Sequence, residues 1–118
     1  MIVKRSNEPL FWSLFGAGGV VVAFIVPVVI FVTGVAVPTG IWPAEVMAYD
    51  RIVSFVSSWS GGLFMLVVIS LTLWHAMHRI YLSLHDLGIN RGRMFFRSLC
   101  YGIALAGTVS SVMLVAML

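Results

Sequence analysis

Three stretches of this chain carry no Asp, Glu, Lys or Arg, and each is long enough to cross a lipid bilayer. Between Glu8 and Glu45 there is no such residue, nor from Ile52 to Trp74, nor from Ser98 to Leu118. A spanning helix needs about 20 mostly apolar residues to cross a hydrocarbon core of roughly 30 Å. All three runs meet that length, so the expected fold is all-α: a polytopic membrane protein with three transmembrane helices. Its 118 residues form one domain, with helices expected over about 10–38, 52–86 and 92–117.

Composition excludes the main alternatives. Hydrophobic residues make up 61% of the chain and charged residues 9%, against about 25% charged in an ordinary soluble domain. The formal charge of +3 does not imply nucleic acid, because the basic residues flank apolar runs and form no patch interleaved with stacking aromatics. The single Cys100 lies inside the third run, which rules out an internal disulfide and metal-type cysteine spacing. A small packing role suits it. Lys4 and Arg5 ahead of an apolar run resemble a signal peptide. The run is far longer than the 7–15 residues of a signal core, however, and lacks a good small-residue cleavage site. A retained helix is expected.

Lys and Arg set the orientation. With the N-terminus cytoplasmic, Lys4, Arg5, Arg79, Arg91, Arg93 and Arg97 lie inside, and only Arg51 lies outside, with Glu45 and Asp50. The positive-inside rule selects that arrangement, which leaves the C-terminus periplasmic.

Counted from Leu10 to Pro38, the first run has 29 residues, about 43 Å of helix at 1.5 Å per residue. It must tilt, kink or protrude, and Pro27 is the natural place for a kink. Pro9 suits a first helical turn. The link that follows is rich in turn residues (Pro38, Gly40, Pro43), and its Trp42 and Tyr49 fit an interfacial aromatic belt. Small residues recur four apart as Ser54, Ser58 and Gly62 in the second run, and as Ser98, Gly102, Ala106 and Ser110 in the third. Such stripes let helix backbones approach closely. Gly16, Gly18 and Gly19 would do the same in the first helix.

The chemistry-bearing residues sit past Trp74, where WHAMHRIYLSLHDLG holds all three His, one Arg and one Asp. At helical spacing His75, His78, Arg79, Leu82, His85 and Asp86 fall broadly along one side, and Gly88 suits a helix stop. Haem is not expected from this chain alone. Two axial ligands approach iron from opposite faces, and all three His lie on one helix, which leaves only one His paired with another chain's. A metal site from His75, His78 and Asp86 along one helix would be strained.

A quinone fits better. Its carbonyls need donors in an apolar pocket, and Trp12, His78 and Arg79 are of the right types and lie on one membrane face in this topology. The competing reading has Arg79 snorkelling to headgroups and Trp12 in the aromatic belt. On residue type alone the second reading is the stronger, because interfacial Trp and Arg are common.

Several segments resemble a known family. KRSNEPLFWSLFGAGG, Pro27 inside the first helix, a Pro-Gly-Pro link followed by AYDR, and LWHAMHRIYLSLHDLGI are similar to the fumarate reductase D subunit, one of two small three-helix anchors of bacterial quinol:fumarate reductase. The resemblance covers essentially the whole chain and is strongest at Pro9 to Gly19 and His78 to Leu87. It implies a multi-pass protein of the bacterial inner membrane, paired with a second anchor, the C subunit of fumarate reductase. Together the two anchors would hold an iron–sulfur subunit and a flavoprotein on the cytoplasmic face. Menaquinol would feed electrons through these partners to fumarate in anaerobic respiration. Flavin and clusters would lie only in the partners, and haem is absent from the two-anchor type.

Carried onto this sequence, the Trp of EPLFW is Trp12 and the pair in MHR is His78 and Arg79. The resemblance implies that Trp12 and Arg79 bind or orient a quinone oxygen, and that His78 shapes the pocket and its proton path. It reverses the order of the two readings above. His85 and Asp86 are expected to dock the soluble subunits or to cap the helix. The chain departs from the family pattern at Tyr81 and Leu82, where further His often stand, and at His75, where a small residue or Cys does. Three rivals remain: the anchor of a succinate dehydrogenase, a purely structural membrane protein, and a small drug exporter. The exporter is disfavoured because no span interior holds an acid. In each case the chain lacks flavin, cluster or nucleotide motifs and is no enzyme by itself.

Overall fold

A computed structural model describes residues 8–89 and 91–118, and within them the chain is helical. Lys4 and Arg5 lie outside the described residues. Helix α1 runs Glu8–Phe31 and continues into a π-helical turn, Val32–Ala36. A 3-10 turn, Ala44–Met47, lies in the link that follows. Then come α2 (Tyr49–Ser57), α3 (Trp59–Asp86) and α4 (Arg93–Met117). Three stretches are long and apolar enough to cross a membrane: Trp12–Ala36, Trp59–Asp86 and Arg93–Met117.

Pro27 sits inside α1 without ending it. The helix is closed beyond it by a wider turn, in which Val37 N–H donates to the Val32 carbonyl at 3.0 Å.

The second helix differs from the sequence reading. The apolar run predicts a single helix over 52–86, but the chain breaks at Ser58, whose backbone is extended (φ −73°, ψ 147°). The Ser58 hydroxyl accepts from Gly61 N–H at 3.1 Å and so caps α3, satisfying one of the donors that a helix start leaves unpaired. Gly61 is required at this corner, because a Cβ there would collide with the Phe55 carbonyl at the end of α2. The Ser54, Ser58 and Gly62 stripe is therefore not one helical face. Helix α2 is a nine-residue amphipathic segment, too short to span, with Tyr49, Asp50 and Arg51 exposed.

Helix α3 lies between α1 and α4 and is antiparallel to both. Phe15 meets His75 while Gly18 meets Leu71 on the α1 side; Tyr101 meets His78, Thr108 meets Trp74 and Val115 meets Gly62 on the α4 side. Gly18 sets the α1 approach: a Cβ would stand 2.6 Å from the Leu71 carbonyl oxygen. The α4 face toward α3 is Cys100, Ala104 and Ser111, all buried, with Gly107 against Leu73. The stripe that the sequence offers as an association surface, Ser98, Gly102, Ala106 and Ser110, is exposed.

The turn from α3 to α4 follows the sequence. Gly88 is left-handed (φ +78°), its N–H donates to the His85 carbonyl at 3.0 Å, and Ile89 N–H donates to the Leu84 carbonyl at 3.1 Å. That pair of bonds is the Schellman stop. Gly92, also left-handed, opens α4.

The bundle measures 61 × 31 × 25 Å. Among the described residues no large apolar side chain is fully buried, and Leu10, Phe24 and Trp59 are each more than two-thirds exposed. Water is a poor solvent for such a surface, whereas lipid tails or partner helices are good ones.

Candidate functional site

The site is built where α1 begins and α3 ends. Residues along α3 are about 100° apart, so His78 and Arg79 leave the helix in different directions, and His75 shares a face with Arg79, one turn away. The structure divides the segment accordingly.

On one side, His75 and Arg79 line an open groove of about 380 Å³ with Ser83; its apolar walls are Ala76, Ile80, Leu84 and Leu87. All seven residues stand on one face of α3, and the surface they present to the hollow is almost wholly apolar. Arg79 is the exposed cation of the groove.

His75 is fixed by α1. Its imidazole stacks on the Phe15 ring with centroids 4.6 Å apart and planes 10° from parallel, and its Nδ1 donates to the Phe15 carbonyl at 3.1 Å. Gly18 and Gly19 make the room: a Cβ on Gly19 would lie 3.2 Å from His75 Cε1. Trp12, 66% exposed, meets the edge of Phe15 at 6.0 Å between centroids. It does not line the groove itself and joins it only through Phe15 and His75.

On the other side, His78 is packed between α1 and α4. Its Nδ1 shares a 2.6 Å hydrogen bond with the Tyr101 hydroxyl, and its ring lies 4.8 Å from Phe15. The void beside it, lined by Leu14, Phe15, Trp74, His78 and Tyr101, is only about 10 Å³, room for a single water at most. Trp74 continues this polar seam, its indole N–H donating to Thr108 Oγ1 at 3.2 Å. Tyr81 accepts a long hydrogen bond from Arg93 Nε at 3.4 Å. His85 and Asp86 lie exposed in the last turn of α3, where backbone N–H groups make the cap and neither side chain does.

The sequence singles out Trp12, His78 and Arg79 together. The structure pairs Arg79 with His75 and puts His78 with Tyr101. Neither His75 nor Tyr101 has a role in the sequence reading, although the four-residue spacing of His75 and Arg79 is the available signal. Among the described residues no three His, Cys, Asp or Glu side chains are grouped to hold a metal ion.

The sequence that builds this site has known relatives. The family model of the fumarate reductase D subunit matches residues 2–116. The chain belongs to that family. The fumarate reductase D subunit of Vibrio vulnificus (strain YJ016) is 46% identical over 112 residues, covering 95% of this chain and 87% of its own length. That of Aliivibrio fischeri (strain MJ11) is 44% identical over 115 residues, 98% of this chain and 95% of its own. The Photobacterium profundum protein is 42% identical over 115 residues, again with 98% and 95% covered. Membership of this fumarate reductase family makes the chain a membrane component of a larger complex, and its three apolar helices agree with that place.

Proposed function

We propose that this chain is a membrane anchor of a quinol:fumarate reductase, and that its Arg79 groove forms part of the site where menaquinol is oxidised. The observation that carries this reading is the exposed Arg79 on an otherwise apolar face of α3, beside Ala76, Ile80, Leu84 and Leu87, at the end of a long apolar helix. A quinone ring suits such a face, and its oxygens suit such a donor.

In this reading the N-terminal end of α1 and the α3–α4 turn face the cytoplasm of a bacterial inner membrane, and the C-terminus faces the periplasm. Arg91, Arg93 and Arg97 sit at that turn and support the assignment. A second anchor, the C subunit of fumarate reductase, completes the site and covers the exposed apolar faces. The iron–sulfur and flavoprotein subunits dock at the same end, near His85 and Asp86. They carry the clusters and the flavin; this chain is non-catalytic and holds no haem. Arg79 orients a quinone oxygen, Trp12 borders the site through Phe15, and His78 stiffens the wall behind it as a step of the proton path.

The test compares menaquinol-driven with dye-driven fumarate reduction in the purified complex carrying Arg79→Ala. Quinol-driven turnover is expected to fall at least tenfold with dye-driven turnover and assembly intact. Unchanged quinol turnover would return Arg79 to the headgroup role.

A further inference from the structure

A second hollow opens where α3 meets the start of α4, lined by Tyr81, Arg93, Met94 and Arg97. It holds about 300 Å³, and the surface these residues present to it is polar and apolar in similar measure. Arg93 Nε donates to the Tyr81 hydroxyl at 3.4 Å, so the donors this guanidinium can offer a ligand are its Nη groups. The hydroxyl accepts in that bond and keeps its own proton to donate. Arg97 stands four residues on, along the same side of α4. Two cations so placed repel each other unless an anion lies between them. Neither helix supplies that anion at the hollow: α4 has no Asp or Glu, and the one acid of α3, Asp86, is not among the lining residues.

The depth of the hollow indicates what does. Arg97 is the last charged residue before the charge-free run to Leu118, and Arg93 begins the span, about 6 Å above it. The hollow therefore straddles the level of lipid headgroups, with Met94 (79% exposed) as its apolar edge. A soluble partner meets the helix ends beyond that level. Guanidinium forks match phosphate geometry, and basic pockets between transmembrane helices hold acidic lipid headgroups.

We propose that this hollow binds the phosphodiester group of an anionic phospholipid of the phosphatidylglycerol class. Arg93 Nη and Arg97 donate to its non-ester oxygens, the Tyr81 hydroxyl adds a third donor, and Met94 packs on the glycerol backbone. A zwitterionic lipid fits less well, because its ammonium group would meet two guanidinium groups and no carboxylate in the lining. The site is separate from the Arg79 groove and needs only that α3 and α4 cross the membrane.

The test uses the purified complex, stripped of lipid in a neutral detergent and titrated with dioleoyl phosphatidylglycerol, with retained lipid counted by native mass spectrometry. Arg97→Gln and Arg91→Gln each remove one charge at the same end, but only Arg97 lines the hollow. Arg97→Gln is expected to weaken one high-affinity lipid site about tenfold, and Arg91→Gln to leave it unchanged. No weakening in Arg97→Gln would overturn the proposal. So would equal weakening in both variants, which means diffuse attraction to an acidic surface. Dioleoyl phosphatidylethanolamine and inorganic phosphate, added as competitors, should displace the lipid poorly; displacement by phosphate at similar concentration would make the ligand a free anion and overturn the lipid assignment. Loss of the other subunits from Arg97→Gln with lipid retention intact would give the hollow to a protein partner instead. In the wild-type complex, phosphatidylglycerol with a photoreactive diazirine in its headgroup should label Tyr81, Met94 or their neighbours. Labelling confined to other segments overturns the proposal even if a variant fails to assemble.

Discussion

The imidazole of His75 lies flat on the ring of Phe15, 4.6 Å away, and bonds to the carbonyl of that same residue at 3.1 Å. One residue of α1 thus sets both the plane and the tautomer of a groove-lining side chain on α3. The contact is possible because Gly18 and Gly19 follow Phe15 by three and four residues, so that all three share the face of α1 that meets α3.

Gly18→Ala should therefore loosen the α1–α3 pair. The added Cβ would stand 2.6 Å from a backbone oxygen and 2.7 Å from His75 Cβ, neither of which yields cheaply. A cost of about 1–3 kcal/mol is expected from such overpacking. Gly16→Ala is the control, since nothing lies within 4 Å of its Cβ position and alanine is the better helix former. Thermal denaturation of the complex in detergent, read by loss of quinol-driven activity, should rank Gly18→Ala below wild type and Gly16→Ala at or above it.

Ser58→Ala tests the break between α2 and α3. Removing the hydroxyl that accepts from Gly61 N–H should cost about 1 kcal/mol, the usual worth of a Ser cap. Gly61→Ala should cost more, because its Cβ collides with the Phe55 carbonyl. Proteolysis near residues 48–58 in membrane vesicles measures the effect, with faster cleavage expected in the order wild type, Ser58→Ala, Gly61→Ala.

Tyr101→Phe removes the hydroxyl bonded to His78 and keeps the ring that sits 5.9 Å from Trp74 and 6.0 Å from Tyr81. Polar pairs inside membrane proteins are worth about 0.6 kcal/mol on average and up to about 1.7, so the loss should fall in that range. A double-mutant cycle with His78→Phe isolates it: the second substitution should cost less when the first is present. Additive costs would mean that the bond contributes nothing.

Much of this is legible in the sequence, and the exceptions have physical causes. Charge-free runs mark the spans because a buried charge is expensive in lipid, and Gly88 marks the end of α3 because only glycine enters the left-handed region easily. The break at Ser58 stays hidden inside an unbroken apolar run. Its signals, a serine followed by Gly61 and Gly62, are ordinary in membrane helices. Arg79 can be picked out as an unusual residue, and its four-residue spacing from His75 puts the two on one face of α3, but three histidines share the segment and only the packing of Phe15 and Tyr101 sorts them. The inward face of α4 escapes the sequence for a similar reason. Small residues recur on two of its faces, and only burial and the contacts of Gly107 with Leu73 and of Val115 with Gly62 show that Cys100, Ala104, Gly107 and Ser111 face inward.

The outward stripe on α4 then becomes a test of assembly. Gly102 has nothing within 4 Å of its Cβ position, and Ser98, Ala106 and Ser110 on the same face are exposed. Small residues at this spacing are what a second transmembrane helix needs in order to approach closely, so a bulky side chain should be harmless within this chain and harmful between chains. Gly102→Leu is expected to insert into membranes at wild-type level, because leucine favours both helix and lipid. Co-purification of the other complex subunits should fall severalfold. Gly107→Ala is the contrasting case: its Cβ would press on Leu73 Cδ1 at 2.6 Å, the mobile end of a side chain, and should lower stability slightly without loss of partners. Normal co-purification of Gly102→Leu would mean that this face of α4 meets lipid, and that the partner helices pack against α1 or α2 instead.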